Sequence, residues 1–333
     1  MNGINRHSEY KSRINRVIDY IDSNIDKYMT LNELANIANF SPYHFHRIFK
    51  AIVGETINNF IQRVRIERAA MMLVSNPKKS ITEIAFDTGF SSSASFARAF
   101  KEYFKMSASQ WRNGGYRKYS NLNQTVSKNG KKDSNQGKEY PRSSCYDLNA
   151  AANTRSKEDQ LNKRSDEMKN EVKAKVEVRK FPEMTVAYIR HIGPYQGDVR
   201  LFERLWNKLM KWAGPRELLS QKDLKCLCLY HDDPNITEQD KLRVSVCISV
   251  PENTSVDGEI GKMKVEGGKY AAGYFEIDPD QYQQAWDYMF GQWLPPSGYQ
   301  PDDRACFEMF LNNPEEHPQH KHQVEICIPV KPL

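Results

Sequence analysis

The sequence lacks any run of about 18 apolar residues, the length that a helix needs to cross a bilayer, so we predict no transmembrane helix. It is also poor in cysteine: the 6 cysteines in 333 residues show no framework spacing, which is typical of a reducing compartment. Residues 1–20 carry charges throughout and lack the apolar centre of a signal peptide. These three absences predict a cytoplasmic protein without a membrane partner.

The charges are unevenly distributed along the chain. Residues 1–117 contain 17 Lys and Arg against 10 Asp and Glu, whereas residues 173–333 contain 20 against 24. A basic first part and a mildly acidic last part indicate two different tasks, and the basic part is the one suited to a polyanion. The overall composition, with 39% hydrophobic and 27% charged residues, is that of a globular protein.

A long polar segment separates the two parts. Residues 118–172 are rich in Asn, Ser, Lys and Gln and contain almost no large aliphatic side chains. Such a segment buries too little apolar surface to offset the entropy lost on ordering, so we predict a flexible linker. A polar surface subdomain is the alternative that the composition leaves open. The expected domains are therefore residues 1–117 and residues 173–333, joined by this linker.

The first domain is expected to be all-α. Isoleucines at helical spacing predict an amphipathic helix over residues 8–28. The motifs Thr-x-x-Glu at 30–33 and Ser-x-x-Glu at 80–83 are capping boxes, which predict the starts of two further helices. Residues 55–76 form a long helical stretch that ends at a proline.

One helical cassette occurs twice in this domain. "LNELANIANFSPYHFHRIFK" (31–50) and "ITEIAFDTGFSSSASFARAFK" (81–101) both contain a short helix, a turn and a second helix. Asn39 and Gly89 lie at the two turns, and these residue types tolerate the left-handed conformation of a tight turn. A helix, a sharp turn and a second helix form a helix-turn-helix unit, here present twice.

The two faces of each second helix differ in chemistry. Phe45, Phe49, Phe96 and Phe100 recur at helical spacing, so we expect them to face the core, and two packed helical hairpins would explain them without any function. The opposite face carries short or hydrogen-bonding side chains near the helix start and then a long cation. This pattern favours a DNA-reading helix, because entry into the major groove requires little bulk and an Arg that bonds to guanine with two hydrogen bonds.

Residues 8–117 resemble the DNA-binding domain of AraC/XylS-type transcriptional regulators, most specifically in "IAFDTGFSSSASFARAFKEYFKMSASQWR" (84–112). The resemblance implies about seven helices, with two helix-turn-helix units bridged by a long helix near residues 58–74. Their recognition helices would enter successive major grooves on the order of 34 Å apart. Carried over by position, the residues expected to contact DNA are Tyr43, His46, Arg47, Lys50, Ser92, Ser93, Ala94, Arg98 and Lys101.

The second unit is poor in long hydrogen-bond donors. Serines and an alanine occupy its reading positions, so we expect Arg98 and the shape of the groove to supply most of its sequence preference. Lys105, Arg112 and Arg117, together with Lys50 and Lys101, are expected to contact phosphates or solvent.

The last domain is expected to contain both strands and helices. Eight short segments rich in β-branched or aromatic residues predict strands, and residues 198–214 and 280–294 predict amphipathic helices. The order strand, turn, aromatic-rich helix and Gly occurs twice, in residues 184–214 and 269–298. The sequence therefore predicts an α+β domain built of two βαβ-like repeats with pseudo-twofold symmetry and an antiparallel-rich sheet.

Residues 173–333 resemble the GyrI-like effector-binding domain. The residues that carry the resemblance are "HIGPY" (191–195), "WLPPSGY" (293–299), "CFEMFL" (306–311) and "VEICIPV" (324–330), in that order. An AraC-type front followed by a GyrI-like domain is the arrangement of Rob-type regulators. The resemblance implies an open groove that binds a small molecule.

Glu308 is the most informative residue of this domain. It lies between Cys306 and Phe310 on one face of an apolar strand, where a carboxylate is costly unless something compensates it. A cationic ligand that stacks on aromatic rings would compensate it, and so would an internal ion pair with Arg304 or an exposed edge position. The family has a functional Glu in this motif, which favours the ligand. Glu325, on a strand with one polar face, is expected at the surface.

The wall of the groove is expected to come from aromatic residues. We predict Tyr195, Trp293, Trp206 and Phe275 as ligand-binding residues beside Glu308, and Trp286 and Tyr299 are weaker candidates. Cys226, Cys228 and His231 suggest a metal site only weakly, because structural zinc needs four well-spaced ligands. We therefore predict no metal, no cofactor and no catalytic residues.

Three functions from different classes fit these observations. The first is a sequence-specific transcription regulator that binds double-stranded DNA, recruits RNA polymerase and responds to a lipophilic, cationic effector. The second is a hydrolase of reactive small molecules, with Glu308 as general acid or base, as the resemblance to GyrI-like domains allows. The third is a sequestering or inhibitory protein, against which the intact double helix-turn-helix argues.

Overall fold

The computed structural model describes residues 6–117, 119 and 174–333. We call residues 6–117 the front region and residues 174–333 the rear region. The predicted linker, apart from Tyr119, lies outside the described residues.

The front region consists of helices, as predicted. The longest bridges the two helix-turn-helix units, and the prediction of about seven helices is confirmed within the described residues. The helices are α1 (Arg6–Ser23), α2 (Leu31–Ile37), α3 (Pro42–Val53), α4 (Ile57–Ser75), α5 (Ile81–Asp87), α6 (Ser93–Phe104) and α7 (Ala108–Gln110). Helix α1 ends earlier than predicted, because the Asn24 side chain donates to the Tyr20 carbonyl and caps the last turn.

The local signals in the sequence account for these helix ends. Thr30 and Ser80 each form the predicted capping box with the Glu three residues on. Asn39 and Gly89, at the turns within the two units, have φ angles of 52° and 83°, which is the left-handed region. Each turn therefore redirects the chain sharply, so that α2 packs on α3 and α5 packs on α6.

The rear region is dominated by a single antiparallel sheet. Its strands are β1 (Lys175–Phe181), β2 (Met184–Ile192), β3 (Cys226–Tyr230), β4 (Arg243–Ser249), β5 (Gly261–Val265), β6 (Gly268–Ile277), β7 (Tyr299–Pro301), β8 (Cys306–Phe310) and β9 (His322–Pro332). Two helices accompany it, α8 (Val199–Ala213) and α9 (Tyr282–Asp287), and α9 continues to Trp293 in wider turns.

The strand order shows the predicted pseudo-twofold arrangement. The order is β1-β6-β9-β8-β3-β4-β2-β5, with β7 attached to β9. One repeat contributes β2-β4-β3 with α8, the other contributes β6-β9-β8 with α9, and β3 meets β8 at the centre. In addition, β1 pairs with β6 of the second repeat, whereas β5 pairs with β2 of the first. The repeats thus exchange their outermost strands.

One prediction about the sheet is wrong. Glu325 was expected at the surface, but it is only 8% exposed. Strand β9 lies between β6 and β8, so both of its edges are covered, and the Glu325 carboxylate accepts a hydrogen bond from Arg179. The ion pair compensates the buried charge.

Membrane-spanning helices and clustered metal ligands are both missing from the described residues. Among the described helices, none has the length and apolar character required to cross a membrane. The described residues also contain no group of three or more His, Cys, Asp or Glu side chains that could hold a metal ion, so Cys226, Cys228 and His231 do not form one.

Candidate nucleic-acid interface and ligand cavity

Helix α3 places the first set of predicted DNA contacts on one exposed face. Ser41 caps the helix through the backbone N–H of His44, and Pro42 occupies the first helical position. Phe45 and Phe49 are completely buried against the front core, as predicted. Because these two rings fix the inner face, the opposite face points away from the core.

The predicted reading residues of α3 occupy that outer face. Tyr43 is 63% exposed, and the Arg47 guanidinium carbon lies 4.7 Å from the centre of its ring. Lys50 is exposed one turn further on, and His46 is half-buried. His44 is also exposed, although it is not among the predicted DNA contacts. The face therefore presents one stacked guanidinium among hydrogen-bonding side chains.

Helix α6 repeats the arrangement with smaller side chains. Ser92 is the N-cap residue, whose hydroxyl accepts from the Ser95 backbone N–H at 3.2 Å. Ser93, Ala94 and Arg98 are exposed, and so is Lys101. The cap role gives Ser92 a structural partner of its own, whereas the other four side chains face outward from the buried Phe96 and Phe100.

One expected phosphate contact has a different role. The Arg112 guanidinium donates to the Leu73 carbonyl at 3.3 Å and to the Lys79 carbonyl at 2.8 Å. It therefore closes the end of α4 against the loop before α5. Lys105, by contrast, is exposed with a φ of 57° at the end of α6, where its ammonium donates to the Glu102 carbonyl.

Glu308 lies in the rear region at the wall of a large cavity. Its side chain is on the central strand β8, and the residue is 4% exposed. The Oε1 atom accepts from Trp286 Nε1 at 2.7 Å, and Oε2 accepts from the Tyr230 hydroxyl at 2.8 Å. Within the described residues no Lys, Arg or His forms an ion pair with it, because Arg304 pairs with Asp302 instead. The carboxyl group is thus held by two neutral donors.

Burial raises the pKa of Glu308 from an ordinary 4.5 to about 7, against the opposing effect of the hydrogen bonds from Trp286 and Tyr230. At neutral pH the group therefore lies near its midpoint. A positive charge brought into the cavity would favour the ionised form.

The cavity has a volume of about 2410 Å³ and is lined by aromatic rings near Glu308. Of the five predicted ligand-binding residues, Glu308, Tyr195 and Trp206 line it. Phe275 and Trp293 do not. Phe275 is completely buried on β6, on the side packed against α9, and Trp293 packs on the same core. Their aromatic character reflects core packing.

Two residues that hold the carboxyl group were not among the predicted site residues. Tyr230 ends β3, which pairs with β8 so that Cys228 stands opposite Glu308. Trp286 lies on α9, and its ring centre is 5.7 Å from that of Tyr230. Trp286 is only a weaker candidate for the groove wall in the sequence. Its polar N–H, on an otherwise apolar helix face, is the feature that could have indicated a hydrogen bond to a buried acceptor.

Comparison with known proteins supports this two-part organisation. Residues 34–114 match the helix-turn-helix domain, and residues 174–331 match the GyrI-like small molecule binding domain. The transposon Tn10 TetD protein of Escherichia coli is 32% identical over 126 residues, 33% of this chain and 91% of that protein. A DNA gyrase inhibitor of Yersinia enterocolitica is 30% identical over 141 residues, 41% of this chain and 85% of that protein.

The chain belongs to the AraC-type regulators that carry a GyrI-like domain. The Msm operon regulatory protein of Streptococcus mutans is 36% identical over 106 residues. This match spans 32% of the present chain and 38% of the Streptococcus protein. The match to the solved C-terminal domain of EcmrR spans 48% of this regulator and 99% of that domain, at 18% identity and with a TM-score of 0.38.

This AraC-type regulator therefore combines a DNA-binding domain with a domain that binds a small molecule, and its function is ligand-modulated regulation of transcription. Both matched domains are of the regulator type. The partner of the helix-turn-helix domain is DNA.

Proposed function

We propose that this regulator contacts bases in two successive major grooves through α3 and α6. The support is the equivalent position of Arg47 and Arg98, both exposed on the outer face of a helix whose inner face is fixed by buried phenylalanines. The first helix adds Tyr43 and His46, and the second adds only small side chains. We expect strong base preference in the first half-site and weaker, shape-dependent preference in the second.

The full-length protein and a pool of random duplexes test this proposal. Selection should recover a two-part site whose halves lie about one helical turn apart. Recovery of sequences without any shared motif, at moderate salt, would contradict it. Salt dependence alone is not sufficient, because nonspecific phosphate contacts also produce it.

We propose that the effector is a lipophilic cation whose positive charge lies next to Glu308. The observation that carries this proposal is a buried carboxyl group at the wall of an aromatic cavity, with which no cation among the described residues forms an ion pair. An ionised carboxylate there is stabilised by an incoming positive charge, and the aromatic side chains of Tyr195, Tyr230 and Trp286 line the same cavity as candidates for cation–π contacts. A neutral ligand of the same size would lack both terms.

Isothermal titration of the full-length protein with tetraphenylphosphonium tests the charge preference, with triphenylphosphine oxide as the neutral comparison. We expect the cation to bind, and the variant Glu308→Gln to weaken its binding about tenfold or more. Glu276→Gln is the matched control, because Glu276 is exposed on the same sheet. Equal binding of the neutral compound, or unchanged binding by Glu308→Gln, would refute the proposal.

Hydrolysis is the second candidate function, because a buried carboxyl group with a pKa of about 7 suits a general base. A set of reactive esters and epoxides, incubated with the full-length protein and followed by mass spectrometry, tests it. Turnover that disappears in Glu308→Gln would support hydrolysis, whereas recovery of unchanged compounds would reject it for those substrates.

RNA polymerase and a cytoplasmic location stay predictions from the sequence. In vitro transcription from a promoter that carries the selected site tests the first. A change in transcript yield when the protein and tetraphenylphosphonium are added would support contact with polymerase or control of its access.

A further inference from the structure

The front and rear regions are joined by two partly buried ion pairs on one face of α1. Arg190 on β2 donates from Nη2 to Asp19 Oδ1 at 2.7 Å, and Arg243 on β4 donates from Nη1 to both Asp22 oxygens at 3.0 and 2.9 Å. The arginine side chains are only 1% and 2% exposed. We call these two pairs the α1 latch. The Tyr188 hydroxyl donates to the other oxygen of Asp19.

Closely packed side chains surround the α1 latch. A Cβ atom at position 261, on β5, would lie 2.2 Å from Tyr188 Cζ, so only glycine leaves room for the ring that reaches Asp19. The Arg243 guanidinium carbon lies 5.3 Å from the centre of the Phe60 ring in the front region. Ile192 packs on the core of the first helix-turn-helix unit, and Ile236 is buried in the core of the second. The rear region therefore contacts both units.

Three consecutive residues connect the latch with the ligand site. Tyr230 donates to Glu308, and the next residue, His231, has its Nε2 atom 2.9 Å from Ser245 Oγ and 3.5 Å from Arg190 Nη2. The third, Asp232, accepts from the Arg243 side chain at 2.7 Å. The two arginines of the latch thus contact the residues immediately after Tyr230, whose hydroxyl donates to the Glu308 carboxyl group.

The cavity provides a second connection. Its lining includes Glu308 and Tyr230 together with Arg190, Asp19 and Asp22 of the latch. It is larger than the few hundred to a thousand Å³ typical of a ligand pocket because it extends between the two regions. A ligand next to Glu308 therefore shares its cavity with the charges that hold α1.

Burial and neighbouring charges together set the pKa values of Asp19 and His231 at the latch. Burial raises the pKa of Asp19, while the charge of Arg190 opposes that rise. Burial and the two neighbouring arginines hold the pKa of His231 well below its usual range, so its ring is neutral. Arg190 Nη1 is buried and has no hydrogen-bond partner in the part of the chain that the structure describes. Small movements of residues 230–232 therefore change the energy of the latch.

We propose that the α1 latch couples the effector site to the DNA-binding helices, so that a cation next to Glu308 changes DNA affinity through Tyr230, His231 and Asp232. The inference rests on the proposed effector site. When the cation ionises Glu308, the hydrogen bond from Tyr230 becomes charge-assisted and stronger, which repositions the end of β3. The end of β3 leads directly into His231 and Asp232, and the position of α1 relative to the rear sheet then differs between the two ligand states.

A thermodynamic cycle on the full-length protein tests this coupling. Tetraphenylphosphonium affinity is measured with and without the selected DNA site, and DNA affinity with and without tetraphenylphosphonium. By linkage the two fold-changes must be equal, and we expect a value in the usual range of about 5- to 150-fold. In Asp22→Asn we expect the coupling to fall to less than about twofold, while tetraphenylphosphonium still binds. Asp26→Asn is the control, because Asp26 is exposed just beyond α1.

The outcomes separate this inference from the proposed function. Loss of tetraphenylphosphonium binding in the unmodified protein would contradict the effector proposal itself. Binding of both ligands without coupling in the unmodified protein, or full coupling in Asp22→Asn, would overturn the latch inference and leave the effector site intact. Should Asp22→Asn not fold, Tyr188→Phe removes only the hydroxyl that contacts Asp19, and we expect it to reduce the coupling.

Discussion

The Glu67 carboxylate on α4 accepts a hydrogen bond from the Tyr103 hydroxyl on α6 at 2.6 Å. The same carboxylate accepts from Arg63 Nη1 at 3.0 Å, and Arg63 also donates to Glu55, just before α4, at 2.7 and 2.9 Å. This buried network joins the end of the first helix-turn-helix unit, the long helix and the second recognition helix. It therefore fixes the offset between the two helices proposed to contact bases.

Replacing Arg63 should weaken both stability and two-site DNA binding. We expect Arg63→Met to lower the free energy of unfolding by about 3–5 kcal/mol, because it leaves two buried carboxylates without their cation. Urea unfolding followed by circular dichroism measures the loss. Arg68→Met, on the same helix but partly exposed, should cost less than about 1 kcal/mol. Equal losses in the two variants would show that the network does not carry this stability.

The two exposed arginines should contribute specificity rather than general affinity. We expect Arg47→Ala and Arg98→Ala each to weaken binding to the selected site by about 1–3 kcal/mol, with less effect on random DNA. Lys50→Ala is the comparison, because a phosphate contact affects all sequences alike and lowers the slope of affinity against salt by about one. Fluorescence anisotropy at several salt concentrations distinguishes the two patterns. A uniform loss in Arg47→Ala would assign that residue to the phosphates.

Binding of a permanent cation should strengthen as the pH rises through about 7, the pKa of Glu308. The ionised carboxylate attracts the cation, and below this pH a proton must first leave. We expect the tetraphenylphosphonium affinity to reach a plateau above pH 8 and to fall about tenfold for each pH unit well below 7. Glu308→Gln should give a flat profile. If the affinity of the unmodified protein did not change with pH, the cation would bind away from Glu308.

The same residue should make the protein less stable in alkaline solution. A carboxyl group whose pKa is raised in the folded state stabilises that state below its ordinary pKa, and the contribution is lost as the pH rises through about 7. At pH 8 the free energy of unfolding of Glu308→Gln should therefore exceed that of the unmodified protein by up to about 3 kcal/mol. Urea unfolding at each pH measures this difference. The difference should shrink towards pH 5. A larger gain at pH 5 than at pH 8 would contradict this sign.

Local patterns were sufficient to predict the front region. The capping boxes at Thr30 and Ser80, the left-handed turns at Asn39 and Gly89 and the spacing of the phenylalanines all depend on residues within a few positions of each other. Helix starts, turns and apolar faces are decided at that range, and the structure confirms each of them. The doubled cassette predicted two helix-turn-helix units, and the resemblance to AraC/XylS-type regulators implied the long helix that bridges them.

Contacts between distant strands and regions could not be predicted in this way. Burial of Glu325 follows from the place of β9 in the middle of the sheet, and the core position of Phe275 follows from packing of α9. The pairing of Arg190 with Asp19 joins residues 171 positions apart. In the sequence both are ordinary charged residues, because only the docking of the two regions removes them from water.

The exchange of outer strands in the rear sheet has a consequence for folding. Because β1 completes the second repeat and β5 completes the first, neither half can form its full set of backbone hydrogen bonds before the other is present. Long-range pairings of this kind are made late and slowly. We expect the rear region to form and melt in a single step, so that a ligand held between the repeats stabilises all of its strands together rather than the nearest few.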